Sequence, residues 1–160
     1  MAQTKYVIDT CTLYRFYYEL KAIDVLHRFF KKGVLTIVPS VKQELVNIAG
    51  NKGFLNQFEQ DMKRGFLAIE EIDLKKREVK RFIIKFEKRL HLGERFSAAL
   101  AVEKQYCLIT DDYAARKLLQ EENVQIKIRD SFWIVVSAFH NRLIDGQRKK
   151  ALVKKLKKAT

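Results

Sequence analysis

Short apolar runs that end on carboxylates, with helical patterns between them, constrain this chain most. Cys107-Leu108-Ile109-Thr110 is a partly β-branched run of the kind that forms a fully buried strand, and it stops at two adjacent acids, Asp111 and Asp112. A helical pattern follows, with Ala114, Ala115, Leu118 and Leu119 on one side. Tyr6-Val7-Ile8 ends in the same way at Asp9. Residues 34–38 read as a second strand broken by Pro39, 66–69 as a third and 124–128 as a last. Strands alternating with helices require crossover connections. The expected fold is therefore α/β, a three-layer α/β/α sandwich with a central parallel sheet of four to five strands.

The helices read as follows. Thr10 is placed to cap a helix running through Leu13, Phe16, Tyr17 and Leu20, and a second spans 22–32 and stops at Gly33. Ser40 with Gln43 suggests a capping box for the helix that carries Glu44. Gly50 and Gly53 punctuate before a helix over 54–63. Val79, Phe82, Ile83, Phe86 and Leu90 recur at three- and four-residue spacing, which predicts a helix over 74–90. Gly93 ends or re-aims the chain, and Glu94 opens a helix rich in small residues, Ala98, Ala99 and Ala101. The pattern after Asp112 continues to Glu122, and a C-terminal helix begins near Asp130.

At 160 residues and 48% hydrophobic, the chain is sized for one core and one domain. Cys11 and Cys107 both sit among apolar neighbours in sequence, which suggests reduced, buried thiols and a cytoplasmic protein. The start, MAQTKYVIDT, has no signal-peptide core, and the longest apolar stretch, near 132–139, is far too short to cross a bilayer. The formal net charge of +13 favours a polyanionic partner, most often nucleic acid.

In an open α/β sheet, ligand sites lie outside the carboxyl ends of the strands. Asp9, Asp111 and Asp112 belong at that edge, Glu44 early in its helix faces it, and Glu94 leans in from the side. Each acid also reads as an ordinary helix cap or a partner of a helix dipole. Four or five carboxylates in one cleft repel each other, and a divalent cation relieves that repulsion. Oxygen-only ligands suit Mg²⁺ or Mn²⁺. Glu70, Glu71 and Asp73 read as a solvated turn.

The ordered blocks YVIDTCTL, VPSVKQELV, LGERFSAALA, LITDDYAAR and IRDSFWIVVSAFHNRLID together resemble the PIN-domain nucleases across nearly the whole chain. The third block is similar to the subgroup in which Gly-Glu precedes an alanine-rich helix. The resemblance implies a metal-dependent endoribonuclease, either the toxin of a VapBC-type toxin–antitoxin pair or an RNA-processing enzyme. It carries the family's first three acids onto Asp9, Glu44 and Glu94. The fourth falls on Asp112, with Asp111 as neighbour or substitute, and Thr10 and Thr110 match the supporting hydroxyls. Cys11 stands where Ser or Asn is commoner, and Glu94 where Asp is more usual. RNA, an antitoxin and a second copy of the chain are the expected partners. Residues 1–146 form the expected nuclease domain and 147–160 a basic helical tail.

No side chain in these motifs is an obvious nucleophile, so the expected chemistry is direct attack of water on a phosphodiester. Arg95 and Arg116, nearest in sequence to the acids, are candidate RNA contacts or ion-pair partners of those acids. Lys149, Lys150, Lys154 and Lys155 in the tail are further candidates, and Leu152, Val153 and Leu156 form a narrow apolar stripe there. A catalytically degenerate module that only binds nucleic acid is the rival reading. A haloacid-dehalogenase-like phosphotransferase needs an Asp two residues after Asp9, and that position is Cys11.

Overall fold

Val7, Ile8, Leu35, Ile37 and Ile109 are completely buried, so their strands have both faces covered, as a parallel sheet between helical layers requires. The computed structural model describes residues 3–158. The strands are β1 (Tyr6–Ile8), β2 (Leu35–Ile37), β3 (Leu67–Ile69), β4 (Cys107–Ile109) and β5 (Ile128–Arg129), in the sheet order β3-β2-β1-β4-β5. Every pairing is parallel. The chain steps outward from β1 to β3, then crosses back to lay β4 against the other side of β1. The switch point between β1 and β4 is where such sheets place their sites. Among the described residues, no helix is long and apolar enough to cross a membrane.

The helices are α1 (Thr10–Tyr14) leading into a π-helical turn (Arg15–Glu19), α2 (Ile23–Phe29), α3 (Pro39–Lys52), α4 (Leu55–Lys63), α5 (Arg77–Lys85), α6 (Leu92–Lys104), α7 (Tyr113–Glu121), α8 (Ser131–His140) and α9 (Gly146–Lys158). Several boundaries differ from the sequence expectation. Asp9, not Thr10, caps α1, accepting from the Thr12 N–H at 3.0 Å. The Ser40–Gln43 capping box does not form, because α3 begins at Pro39, where the missing N–H costs nothing. Ser40 therefore lies inside the helix, and its buried hydroxyl has no partner. Gly50 is interior to α3, and only Gly53, at φ 82°, ends it. The helix expected over 74–90 is shorter at both ends: the Asp73 carboxylate accepts from the Lys75 N–H and holds a turn before it, and 86–89 tighten into turns in which the Glu87 N–H donates to the Ile84 carbonyl and the Arg89 N–H to the Phe86 carbonyl. The last strand starts at Ile128 because Val124 turns back to the Leu119 carbonyl. Gly93 sits in the first turn of α6, which opens one residue earlier, at Leu92. The C-terminal helical region is two helices, α8 and α9.

The basic tail is packed, with Leu152 and Leu156 buried and the Arg148 guanidinium gripping the Asp24 carboxylate with both nitrogens. Truncating a fully buried Leu removes transfer energy and leaves a cavity, typically about 2–5 kcal/mol. Leu156→Ala is thus expected to lower the melting temperature by at least about 4 °C for a domain of this size. A scan showing no shift would mean that α9 is frayed in solution.

Candidate active site at the ends of β1 and β4

Asp9 is 1% exposed at the end of β1, where its N–H still joins the ladder to the Ile109 carbonyl. One carboxylate oxygen caps α1, and the other accepts from the Thr110 hydroxyl at 2.5 Å. Thr110 in turn accepts from the Asp112 N–H at 3.1 Å, so one threonine ties the ends of both central strands together. Asp112 caps α7 through the Ala115 N–H at 2.9 Å and is hydrogen-bonded to Glu94. Glu94 lies one residue after Gly93, and a Cβ on Gly93 would stand 2.9 Å from Glu44 Oε1. Glu44 Oε2 accepts from the Thr10 hydroxyl at 2.6 Å, which returns the path to Asp9. The contacts close a ring through β1, β4, α6 and α3.

Cys11 lies at this ring. Contrary to the sequence expectation it is exposed and not in apolar surroundings, whereas Cys107 is buried as expected. Its thiol is pushed up to about 11, first by partial burial and then by Asp9, Glu94, Asp112 and Glu44. The charges of all four carboxylates reach this thiol. Burial raises Asp9 to about 6 against the pull of its Thr110 and Thr12 hydrogen bonds. Glu94 is raised to about 8 by desolvation and by its bond to Asp112, while Asp112 is lowered by the same bond. The pairing favours the protonated form of Glu94 and the ionised form of Asp112.

Asp111 is committed elsewhere. Its carboxylate accepts from Arg15 Nη1 at 3.0 Å, from the Ser131 N–H at 2.7 Å and from the Ser131 hydroxyl. Its own N–H donates to the Thr12 hydroxyl at 2.9 Å. Asp111 thus pins the end of β4 to α8 and to the π-helical turn that begins at Arg15. Asp112 is the acid that turns toward Glu94. Arg95 donates to the Glu87 carbonyl at 2.8 Å, and Arg116 pairs with Asp130, the cap of α8, at 3.0 Å. Thr12, Arg15 and Ser131 went unnoticed in the sequence. Thr12 alone carried a signal, as a hydroxyl three residues after Asp9.

Among the described residues, no three His, Cys, Asp or Glu groups close to metal-chelating spacing. The donor types, carboxylates and hydroxyls, suit a hard divalent ion.

Gly93→Ala tests the packing of the ring. The added methyl must displace the Glu44 tip and break its Thr10 bond, while helix propensity improves by up to about 1 kcal/mol. Weaker divalent-cation binding with an unchanged or slightly raised melting temperature is the expected result. Unaltered cation affinity would show that Glu44 is not held against Gly93.

A parallel sheet with carboxylates at its switch point places the chain among α/β domains that carry their site at the carboxyl ends of the strands. The PIN-domain family model matches residues 5–160, and the chain belongs to that family. The family is one of nuclease-type modules that typically use divalent metal ions. A comparison with curated proteins finds no match.

Proposed function

We propose that the protein is a metal-dependent endoribonuclease that hydrolyses RNA phosphodiester bonds with water as nucleophile. The observation that carries this reading is the ring of Asp9, Glu44, Glu94 and Asp112, all felt by the Cys11 thiol, in a PIN-domain chain of net charge +13. These four acids would hold Mg²⁺ or Mn²⁺. A divalent cation bound there supplies a lowered water pKa and neutralises charge developing on the phosphate. Thr10 orients Glu44, and Thr110 orients both Asp9 and the Asp112 backbone. Asp111 acts as a positioning residue through Arg15 and Ser131.

As the toxin of a toxin–antitoxin pair, the protein would need an antitoxin partner. A small DNA-binding protein encoded beside it would favour that role over RNA processing. A cytoplasmic location and a homodimer are proposed with the same reading.

Incubation with single-stranded RNA tests the activity. Internal cleavage with Mn²⁺ and none in excess EDTA is expected. RNA binding without cleavage under either condition would replace the enzyme with a degenerate binding module.

A further inference from the structure

Resting on the ribonuclease reading, we propose that the face between α8 and α9 is a second binding track for single-stranded RNA, leading to the carboxylate edge. Lys149, Lys150, Lys154 and Lys158 surround a groove that Phe139 and Val153 line with apolar surface, with a volume of ≈ 710 Å³. Lys149 Nζ lies 4.5 Å from the Phe139 ring centroid. The groove is built on a fixed support, since α9 is seated by Leu152 and Leu156 and tied to α2 by Arg148 and Asp24. Its lysines are therefore presented on a rigid helix.

Continuity with the candidate active site gives the track a direction. A second hollow of ≈ 290 Å³ is lined by Arg15, Glu19, Leu20, Lys155 and Lys158. Lys158 borders both hollows, and Arg15 reaches Asp111 Oδ2 at 3.0 Å. Positive side chains thus run from the α8–α9 groove through Lys158, Lys155 and Arg15 to the end of β4, beside Asp112. Glu19, the acid that lines the second hollow, is itself tied to Arg15 Nε at 3.5 Å.

Charge complementarity selects a polyanion, and the apolar and aromatic surface between the lysines selects one with flat bases. Stacking platforms flanked by cations are how proteins hold single strands without reading sequence. An acidic protein segment would satisfy the lysines but would not account for a track that leads to the carboxylates.

The test is binding of a fluorescent 12-nucleotide oligouridylate to the full chain in EDTA, across a KCl series. Wild type is compared with the triple variant Lys150→Gln, Lys154→Gln, Lys158→Gln. Each lost phosphate contact to a single strand lowers the log–log salt slope by roughly 0.7, so a reduction of roughly 2 is expected, with at least about tenfold weaker binding at low salt. Circular dichroism and Mn²⁺ affinity should match wild type.

An unchanged salt slope would overturn the track. So would wild-type affinity for polyglutamate equal to that for oligouridylate. The binding measurement needs no cleavage. If wild type cuts no RNA but the slope falls as expected, the nuclease reading fails and the track stands.

Discussion

Asp9→Asn is expected to abolish RNA cleavage and, in the absence of metal, to raise the melting temperature. Asp9 is 1% exposed, and burial raises its carboxyl to about 6 from a usual 3.8. At neutral pH the folded protein therefore holds a charge that its surroundings disfavour by at most about 3 kcal/mol, taking 1.36 kcal/mol per pKa unit. Asparagine keeps the shape and retains an oxygen for the Thr12 N–H that caps α1. Its amide nitrogen faces the Thr110 hydroxyl, which must turn from donor to acceptor while still receiving the Asp112 N–H. That rearrangement offsets part of the gain, leaving about 1–2 kcal/mol, or roughly 2–8 °C in a calorimetric scan in EDTA. Removing groups that merely orient a metal ligand costs 10–100-fold in activity, so loss of the ligand itself should cost more than about 100-fold. Native circular dichroism with an undiminished cleavage rate would remove Asp9 from the catalytic set.

The metal-free protein should lose stability as pH rises from about 5 to about 8.5, the reverse of ordinary acid denaturation. Asp9 and Glu94 both have folded-state values raised above their usual ones, to about 6 and about 8. A group raised on folding contributes stability that is complete below its unfolded value and is lost as pH climbs through its folded value. The descent is steepest between about pH 4.5 and 6, where both groups contribute, continues on Glu94 alone, and levels off above about pH 8. Asp112 and Asp24 are lowered instead, by Glu94 and Arg148 respectively, so their contributions are lost only as pH falls below about 4. They lie outside the window. Millimolar Mn²⁺ should oppose the descent, because a ligand at 100 times its Kd stabilises by about 2.7 kcal/mol. Melting curves in EDTA and in Mn²⁺ across this range check the prediction. A flat or rising EDTA profile would show that the fold does not disfavour the charged forms of these two acids.

The elements that position the ring were legible because each acid follows a strand or opens a helix. Asp9 stands directly after a buried apolar run, Asp112 one residue beyond another, and Glu44 lies five residues beyond the strand-breaking Pro39. What stayed hidden were choices between neighbours and contacts across the chain. Asp111 and Asp112 are alike in sequence. Their roles separate only because Arg15, 96 residues away, and Ser131, 20 residues away, take up Asp111. Ser40 has the residue type of a helix cap, yet Pro39 starts the helix first, and local chemistry alone does not rank the two. Cys11 followed an apolar strand and so read as buried, but the residue is exposed and its thiol feels four carboxylates. The stripe of Leu152 and Leu156 was visible, while the surface it seats against was not, because docking depends on α8 and on the Arg148–Asp24 pair.

The shared cation site is tested most directly by calorimetric titration of Mn²⁺ into four proteins at neutral pH: wild type, Glu44→Gln, Asp112→Asn and Asp111→Asn. The account predicts saturable binding to wild type, its loss in Glu44→Gln and Asp112→Asn, and its retention in Asp111→Asn, whose carboxylate serves Arg15 and Ser131. No heat of Mn²⁺ binding to wild type, or binding that survives Asp112→Asn and vanishes in Asp111→Asn, would contradict it.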